Sequence, residues 1–454
     1  MKNPFASVPG LAAVALLTAG CEGDDAFTPA AASASEPTVG VRFLHASPDA
    51  PSVDVVGPGA TFAEDLDYKE ATALTPFALG AASVSVDANV PGGPLTVIGP
   101  AELELIDDTV YSVLAVGPVA ALDALIVTAP EADLAAGSVR AQVVHAAPQA
   151  PAVDVYVTEP DAVLEQQNPI GSFAFGEVLD PVEVPAGDYQ IRVTASGDPA
   201  AVVFDSGPVP LAAGADLLLV AVENTGPGDA PISLVAADAE GSVEILDVST
   251  PAEVRAIHAS PDAPAVDVIV NEDFENPVLT DVPYAGVSDY LAVAPGTYNI
   301  KVTPADNPGV IALDADLELT AGARYSVYAS GPLAALEPYV LVDDDRPVAT
   351  QAKVRLVHLA PGAGLVDIYV TAPGEDISGL EPAFPDVDFG DETGYVPLAG
   401  GEYEVTVTAA GTTAPAIGPL TIQVSDGGVY TAAARDAEGG GAPFDLILLD
   451  DFTP

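Results

Sequence analysis

One motif occurs four times, and it limits what this chain can fold into more than any other feature. "VRFLHASPDAPSVDVV" begins at residue 41, and its counterparts are "VRAQVVHAAPQAPAVDVYV" from 139, "VRAIHASPDAPAVDVIV" from 254 and "VRLVHLAPGAGLVDIYV" from 354. The four histidines they carry, His45, His145, His258 and His358, are all the histidines in the protein. Nine residues after each stands an aspartate: Asp54, Asp154, Asp267 and Asp367. Self-similarity at a fixed period of about 100 residues marks tandem units, each with its own core. The expected boundaries are 40–130, 138–240, 252–344 and 352–451.

Within a unit the chain is written in short alternating runs. In "DYQIRVT", Tyr189, Ile191 and Val193 share one face while Gln190, Arg192 and Thr194 share the other, the period of two of a half-buried strand. Later landmarks keep step: "PGTYNIKVT" at 295, "GGEYEVTVT" at 400, and the near-identical exits "GPVAAL" at 117 and "GPLAAL" at 331. The 44 prolines and 41 glycines punctuate these runs, and no stretch reads as a long helix. The expectation is an all-β chain of four tandem Ig-like antiparallel β-sandwich domains with about seven strands each. The connectors, near "APEADLAAGS", "AEGSVEILDVSTP" and "DDDRPVATQA", are short, so the array reads as beads on a fairly stiff string.

The N-terminus reads as an address. "MKNPFASVPGLAAVALLTAGC" places a lysine, an apolar run and two small residues before Cys21, the only cysteine in the chain. This is signal-peptide anatomy over residues 1–20, and "LTAGC" resembles the lipobox of bacterial lipoproteins, which implies lipidation of Cys21. Residues 21–39 are small and acidic, a flexible tether. The expected location is the cell envelope, lipid-anchored at the outer membrane or cell surface. With 67 acidic and 12 basic residues the formal net charge is −55, which disfavours nucleic acid and anionic headgroups as partners and favours cations. It also resembles the bias of proteins kept soluble in high salt, where screening removes self-repulsion.

The opening motif, the mid-unit "PGTYNIKVT" and the closing "AGARYSV" resemble the domain-of-unknown-function family 4397 of secreted and lipid-anchored bacterial proteins. The resemblance runs in four copies over nearly all of the mature chain, and it implies a β-sandwich surface module with no established activity. "HAAPQAP" and "HLAPGAG" depart from it by losing the serine and the first aspartate.

Several chemistries compete for the motif. Ser47 and Ser260 follow their histidines by two residues, as an unrecognised hydrolase site would require, but Ala147 and Ala360 stand there in the other copies. Zinc wants three or four clustered ligands, and each unit offers one histidine and no cysteine. The structural reading has each histidine, in core parity on the first strand, donating its ring N–H to the aspartate of the next: His45 with Asp54, His145 with Asp154, His258 with Asp267 and His358 with Asp367. Calcium candidates are the acidic loops "DVDFGDE" (Asp386, Asp388, Asp391, Glu392), "DLDYKE" (Asp65, Asp67) and "DDD" (Asp343 to Asp345). For glycans the chain has no tryptophan, Tyr189, Tyr298 and Tyr403 lie in core parity, and Tyr68 and Tyr284 are the exposed candidates. The leading expectation is a non-enzymatic envelope lipoprotein, without a cofactor unless Ca²⁺, that contacts a cell-surface protein or polysaccharide. The alternatives are a calcium- or glycan-binding module and an extracellular hydrolase.

Overall fold

The first repeat sets the pattern. In the computed structural model, which describes residues 37–452, it has eight strands: β1 (Thr38–Ala46), β2 (Val53–Gly57), β3 (Ala60–Leu66), β4 (Thr75–Ala78), β5 (Gly80–Ala88), β6 (Leu95–Leu105), β7 (Thr109–Val116) and β8 (Asp123–Pro130). The expected signal peptide, Cys21 and nearly all of the tether lie outside the described residues. The strands form two four-stranded sheets, β4-β1-β7-β8 and β3-β2-β5-β6. Phe43, Val53, Val55, Leu66, Val86 and Val113 fill the space between them. The architecture is the repeated β-sandwich expected. The sheets are not purely antiparallel, because β1 runs parallel to β7, with Phe43 opposite Val113 and His45 opposite Ala115. A period of two encodes which face is buried but not which way a strand runs, and β1 and β7 are joined by no hairpin that would fix their direction.

The other three repeats follow the same order. Their first strands, Ser138–His145, Ala252–Ala259 and Ala352–Leu359, each lie parallel to a seventh. The second repeat adds a ninth strand, Ser242–Ile245, making its sheet five-stranded. That strand falls within one of the expected connectors.

The sandwiches are not beads on a string. Along β1, Val41, Arg42, Phe43, Leu44, His45 and Ala46 are all buried, so both faces of the strand are covered. Phe43 points into its own sandwich, whereas Leu44, Ala46, Leu114 and Val116 pack against Val144, Leu218, Val220 and Val222 of the second repeat. The third and fourth repeats meet in the same way through Ile257, Ala259 and Tyr328 against Val357, Leu359 and Ala433. The contacts are reciprocal. Arg42 Nη1 donates to Asp238 O of the second repeat (2.8 Å), and Gln142, at the matching position there, donates from Nε2 to Thr128 O of the first (3.2 Å).

In the other pair Arg355 binds the Asp343 carboxylate and donates to Val342 O (3.1 Å), while Arg255 Nη1 reaches Asp450 Oδ1 (2.8 Å). The connector 344–351 is docked as well. Arg346 reaches Asp67 Oδ1 (2.6 Å) and Ala50 O (2.8 Å) of the first repeat, and Ala349 N donates to Asp49 O (2.8 Å). Among the described residues no helix is long and apolar enough to cross a membrane.

Candidate functional site

The motif forms a strand, a proline corner and a strand, and the histidine is the internal brace of the corner. His45 is fully buried. Its Nδ1 accepts the backbone N–H of Ser47 (3.2 Å), and its Nε2 lies 2.9 Å from Pro51 O. An acceptor role at Nδ1 places the ring proton on Nε2, which donates to the carbonyl. One neutral ring therefore satisfies a backbone donor and a backbone acceptor that the corner would otherwise bury unpaired. The same two bonds occur in every copy. His145 spans Ala147 N and Pro151 O (3.4 and 3.3 Å), His258 spans Ser260 N and Pro264 O (3.3 and 3.0 Å), and His358 spans Ala360 N and Gly364 O (3.3 and 2.8 Å).

Burial lowers the pKa of His45 to about 4, and it also lowers those of His145 and His258. The serines come close, but by the wrong atom: the backbone N–H of Ser47 and of Ser260, not the hydroxyl, faces Nδ1.

The expected bonds from His45 to Asp54, His145 to Asp154, His258 to Asp267 and His358 to Asp367 do not form. Val53 and Val55 face the core, so Asp54 between them points out of the sandwich, away from the histidine. The aspartates bond elsewhere. Asp54 Oδ1 accepts the N–H of Asp65 (2.9 Å), Asp267 Oδ1 that of Asp281 (2.8 Å), and Asp367 Oδ1 that of Asp386 (2.9 Å). Those three acceptors hold residues with φ of 51°, 56° and 52°, where the pairing of the second and third strands slips its register. The motif aspartate thus pins a β-bulge around a left-handed aspartate. The second repeat has no such slip. There Asp154 accepts from Ser172 Oγ (2.5 Å) and Gly197 N (2.8 Å), bonds that hold its carboxyl below the usual range.

The serine and first aspartate that two copies lack belong to an alternation between odd and even repeats. In odd repeats Asp49 Oδ1 accepts Val119 N (2.7 Å) and Asp262 Oδ1 accepts Leu333 N (2.7 Å), capping the single helical turn of the "GPVAAL" and "GPLAAL" exits. In even repeats the acid moves to the exit itself. Glu223 Oε1 accepts Gln149 N (2.8 Å), and Asp436 accepts Gly362 N (3.2 Å). Glu223 and Asp436 occupy the positions of Gly117 and Gly331. Those glycines are required where they stand, with φ of +89° and +92°, and a Cβ would come within 3.0 and 2.9 Å of the Ala121 and Ala335 carbonyls.

The remaining candidates are engaged inside the molecule. Tyr68 is buried and donates to Glu223 O of the second repeat (2.8 Å), and Tyr284 donates to Asp436 O of the fourth (2.7 Å), so both anchor a neighbour and neither presents an exposed ring. Tyr189, Tyr298 and Tyr403 each donate to the carbonyl four residues back. In "DVDFGDE", Asp386 is the bulge residue, Asp388 and Asp391 accept backbone N–H groups of their own turn, and Glu392 lies 3.8 Å from Arg355. Asp65 is likewise a bulge residue, and Asp67 binds Arg346. In "DDD" each acid faces a cation: Asp343 with Arg355, Asp344 with Lys353 (2.6 Å) and Asp345 with Arg324. Among the described residues no group of three or more His, Cys, Asp or Glu side chains is arranged to hold a metal ion.

Fold and motif together define a tandem β-sandwich repeat protein built of reciprocal pairs. The chain belongs to the family described as "Domain of unknown function (DUF4397)", whose model matches residues 39–156 and 252–369. Each match begins in an odd repeat and runs through the motif of the even repeat paired with it. No protein with curated annotation matches the chain. Among solved structures it is similar to the Bacillus anthracis TIE protein, at 12% identity over 86% of this chain and 69% of that one, with a TM-score of 0.16. A streptococcal ancillary pilin is similar at 11% identity over 68% of this chain and 96% of that one, with a TM-score of 0.12. At these scores neither likeness carries an argument.

Proposed function

We propose that this protein is a non-enzymatic lipoprotein of the cell envelope, anchored through Cys21 and presenting its paired sandwiches as a rigid, anionic surface for contact with a cell-surface protein or polysaccharide. The observation that carries the reading is the fourfold use of the motif. In every copy the histidine nitrogens are bonded to the backbone and the aspartate holds a strand or loop, so the residues that suggest catalysis are occupied by the fold. The basic residues support it too. Nine of the eleven described lysines and arginines pair with carboxylates, and the other two, Arg42 and Arg192, bond to other groups of the chain, which leaves the surface to the acids. Repetition of a weak contact along such a surface multiplies its strength.

The test is made on the full chain expressed in a bacterial host. Mass spectrometry finds a diacylglycerol adduct on Cys21, and Cys21→Ser shifts the protein from the envelope to the soluble fraction. An unmodified thiol at Cys21, or a Cys21→Ser protein that stays with the envelope, contradicts the anchor.

A further inference from the structure

We propose that the interior of the fourth sandwich is a binding site for an unbranched alkyl chain ending in an uncharged polar group. The four sandwiches share one frame, and four core positions can be matched across them by strand register. In the first repeat they hold Phe43, Leu66, Ile98 and Val113; in the second, Val143, Phe173, Phe204 and Leu219. Those two cores are filled, with residual cavities of only about 20 Å³ each. In the third repeat the positions hold Ala256, Val282, Leu313 and Val327, and in the fourth Leu356, Val387, Ile417 and Ala432. No aromatic ring stands at any of the latter eight. The third repeat closes most of the deficit, leaving about 60 Å³, but the fourth keeps a cavity of about 230 Å³.

Protein interiors are close-packed, and a void of this size is unusual unless something fills it. Dry apolar cavities of about 150 Å³ already accept a benzene molecule. This one is lined mainly by aliphatic side chains, with the Phe452 ring at one wall and no carboxylate, lysine or arginine, and His358 at its wall has both ring nitrogens bonded to the backbone. It lies between the two sheets and opens between two of their four edge strands, Pro415–Val424 and Asp445–Asp450, with exposed Leu420 and Leu448 as its lips. Along one lip the lining runs from Ile417 to Gln423, opposite Val407 to Glu402 of the neighbouring strand across a β-bulge, about 16 Å at ~3.3 Å per residue. A volume of 230 Å³ drawn out over that length is a slot that suits a chain better than a ring. Thr421 and Gln423, both exposed at the mouth, offer hydrogen bonds to a neutral head group, and the net charge of −55 opposes an anionic one.

The test is calorimetric titration of the full chain with decan-1-ol, with cyclohexanol as the compact comparison. One saturable decan-1-ol site per chain is expected. Leu356→Phe and Ile417→Phe, which restore the rings carried at Phe43 and Phe204, each weaken binding by about tenfold or more while keeping or raising the thermal unfolding midpoint. Phe204→Ile in the second repeat leaves decan-1-ol affinity at the wild-type value. The inference is overturned by the absence of saturable binding, by cyclohexanol displacing decan-1-ol at equal concentration, or by undiminished binding in both filled variants at an unchanged unfolding midpoint.

Discussion

The two sandwich pairs use one reciprocal geometry and cement it differently. Between the first and second repeats the centre of the seam is apolar, with Leu44, Leu114, Leu218 and Val220; Arg42, Gln142 and Tyr68 reach carbonyls across it, and its ion pair, Lys69 with Glu244, stands at the partly exposed margin. Between the third and fourth the apolar seam is narrower, and a buried ionic cluster stands beside it. Asp343 there accepts from Arg355, Tyr290 (2.6 Å) and Ser326 (2.6 Å), while Arg255 bonds Ser326 (2.7 Å) and Asp450 (2.8 Å). The lesson concerns position rather than residue type. Three residues before the histidine, the first strand always reaches across to its partner's eighth strand or the residue beyond it, and arginine or glutamine serves there. A carbonyl can be met by Gln142, whereas the carboxylates Asp343 and Asp450 call for the full charge of Arg355 and Arg255.

That contrast can be broken, beginning where the effect is largest. Arg355→Leu leaves Asp343 buried without its main counter-charge, and the third–fourth pair should lose about 3–5 kcal/mol in urea unfolding. Arg42→Leu, which removes a bond to a carbonyl, should cost the first–second pair only about 1–3 kcal/mol. Replacing Arg355 and Asp343 together by leucine should recover most of the loss. Equal losses in the two pairs would mean that the ionic cluster adds nothing to the seam. In the apolar pair the weight lies elsewhere: Leu114→Ala, at a fully buried seam position, should cost about 2–5 kcal/mol by the same measurement.

The corner brace comes next. His45→Ala strands Ser47 N and Pro51 O, and a loss of about 2–3 kcal/mol is expected. The brace also carries a pH dependence of definite sign. Its folded pKa of about 4 lies below the unfolded value near 6.5, so the contribution is complete above pH 6.5. Between pH 6.5 and 4 the unfolded chain takes up the proton first, and stability should fall by about 1 kcal/mol per unit. A His45→Ala variant should show a flatter profile across that window. Smaller still is the cap: Asp49→Ala should cost about 1 kcal/mol and loosen the turn Val119–Ala121, while Gln149→Ala, which keeps the backbone N–H bonded by Glu223, should be close to neutral. Thermal midpoints across the two variants separate these outcomes.

Much of this was legible in the letters. Period-two runs and fourfold recurrence carry the all-β sandwich architecture, because burial of one face is written directly into alternation. Direction of pairing is not written there, and the parallel β1–β7 ladder was invisible for that reason. The partnering of sandwiches did leave a trace. "VRFLHA" and "LLLVAV" are unbroken apolar runs apart from Arg42 and His45, the sign of strands covered on both faces, and alternation alone underweights it. The aspartate's partner does not follow from adjacency of the two strands, because parity sends Asp54 outward between Val53 and Val55. The loss of Ser and Asp in even copies goes with the exits, since "GPVAAL" and "GPLAAL" occur only in the copies that keep them, and that co-occurrence is readable in the sequence. The cavity is not written in the letters, since its walls, Leu356, Ile417 and Ala432 among them, are brought together from different strands.

In every copy the corner is braced by its histidine ring through Nδ1 and Nε2. Long-range ¹H–¹⁵N correlation spectra of the full chain, recorded from pH 8 to pH 4, address this directly. The structure requires all four rings to carry their proton on Nε2 at pH 7 and His45 to remain neutral until about pH 4. A ring found in the Nδ1–H form, or a His45 that titrates near 6.5 as an exposed imidazole would, contradicts it.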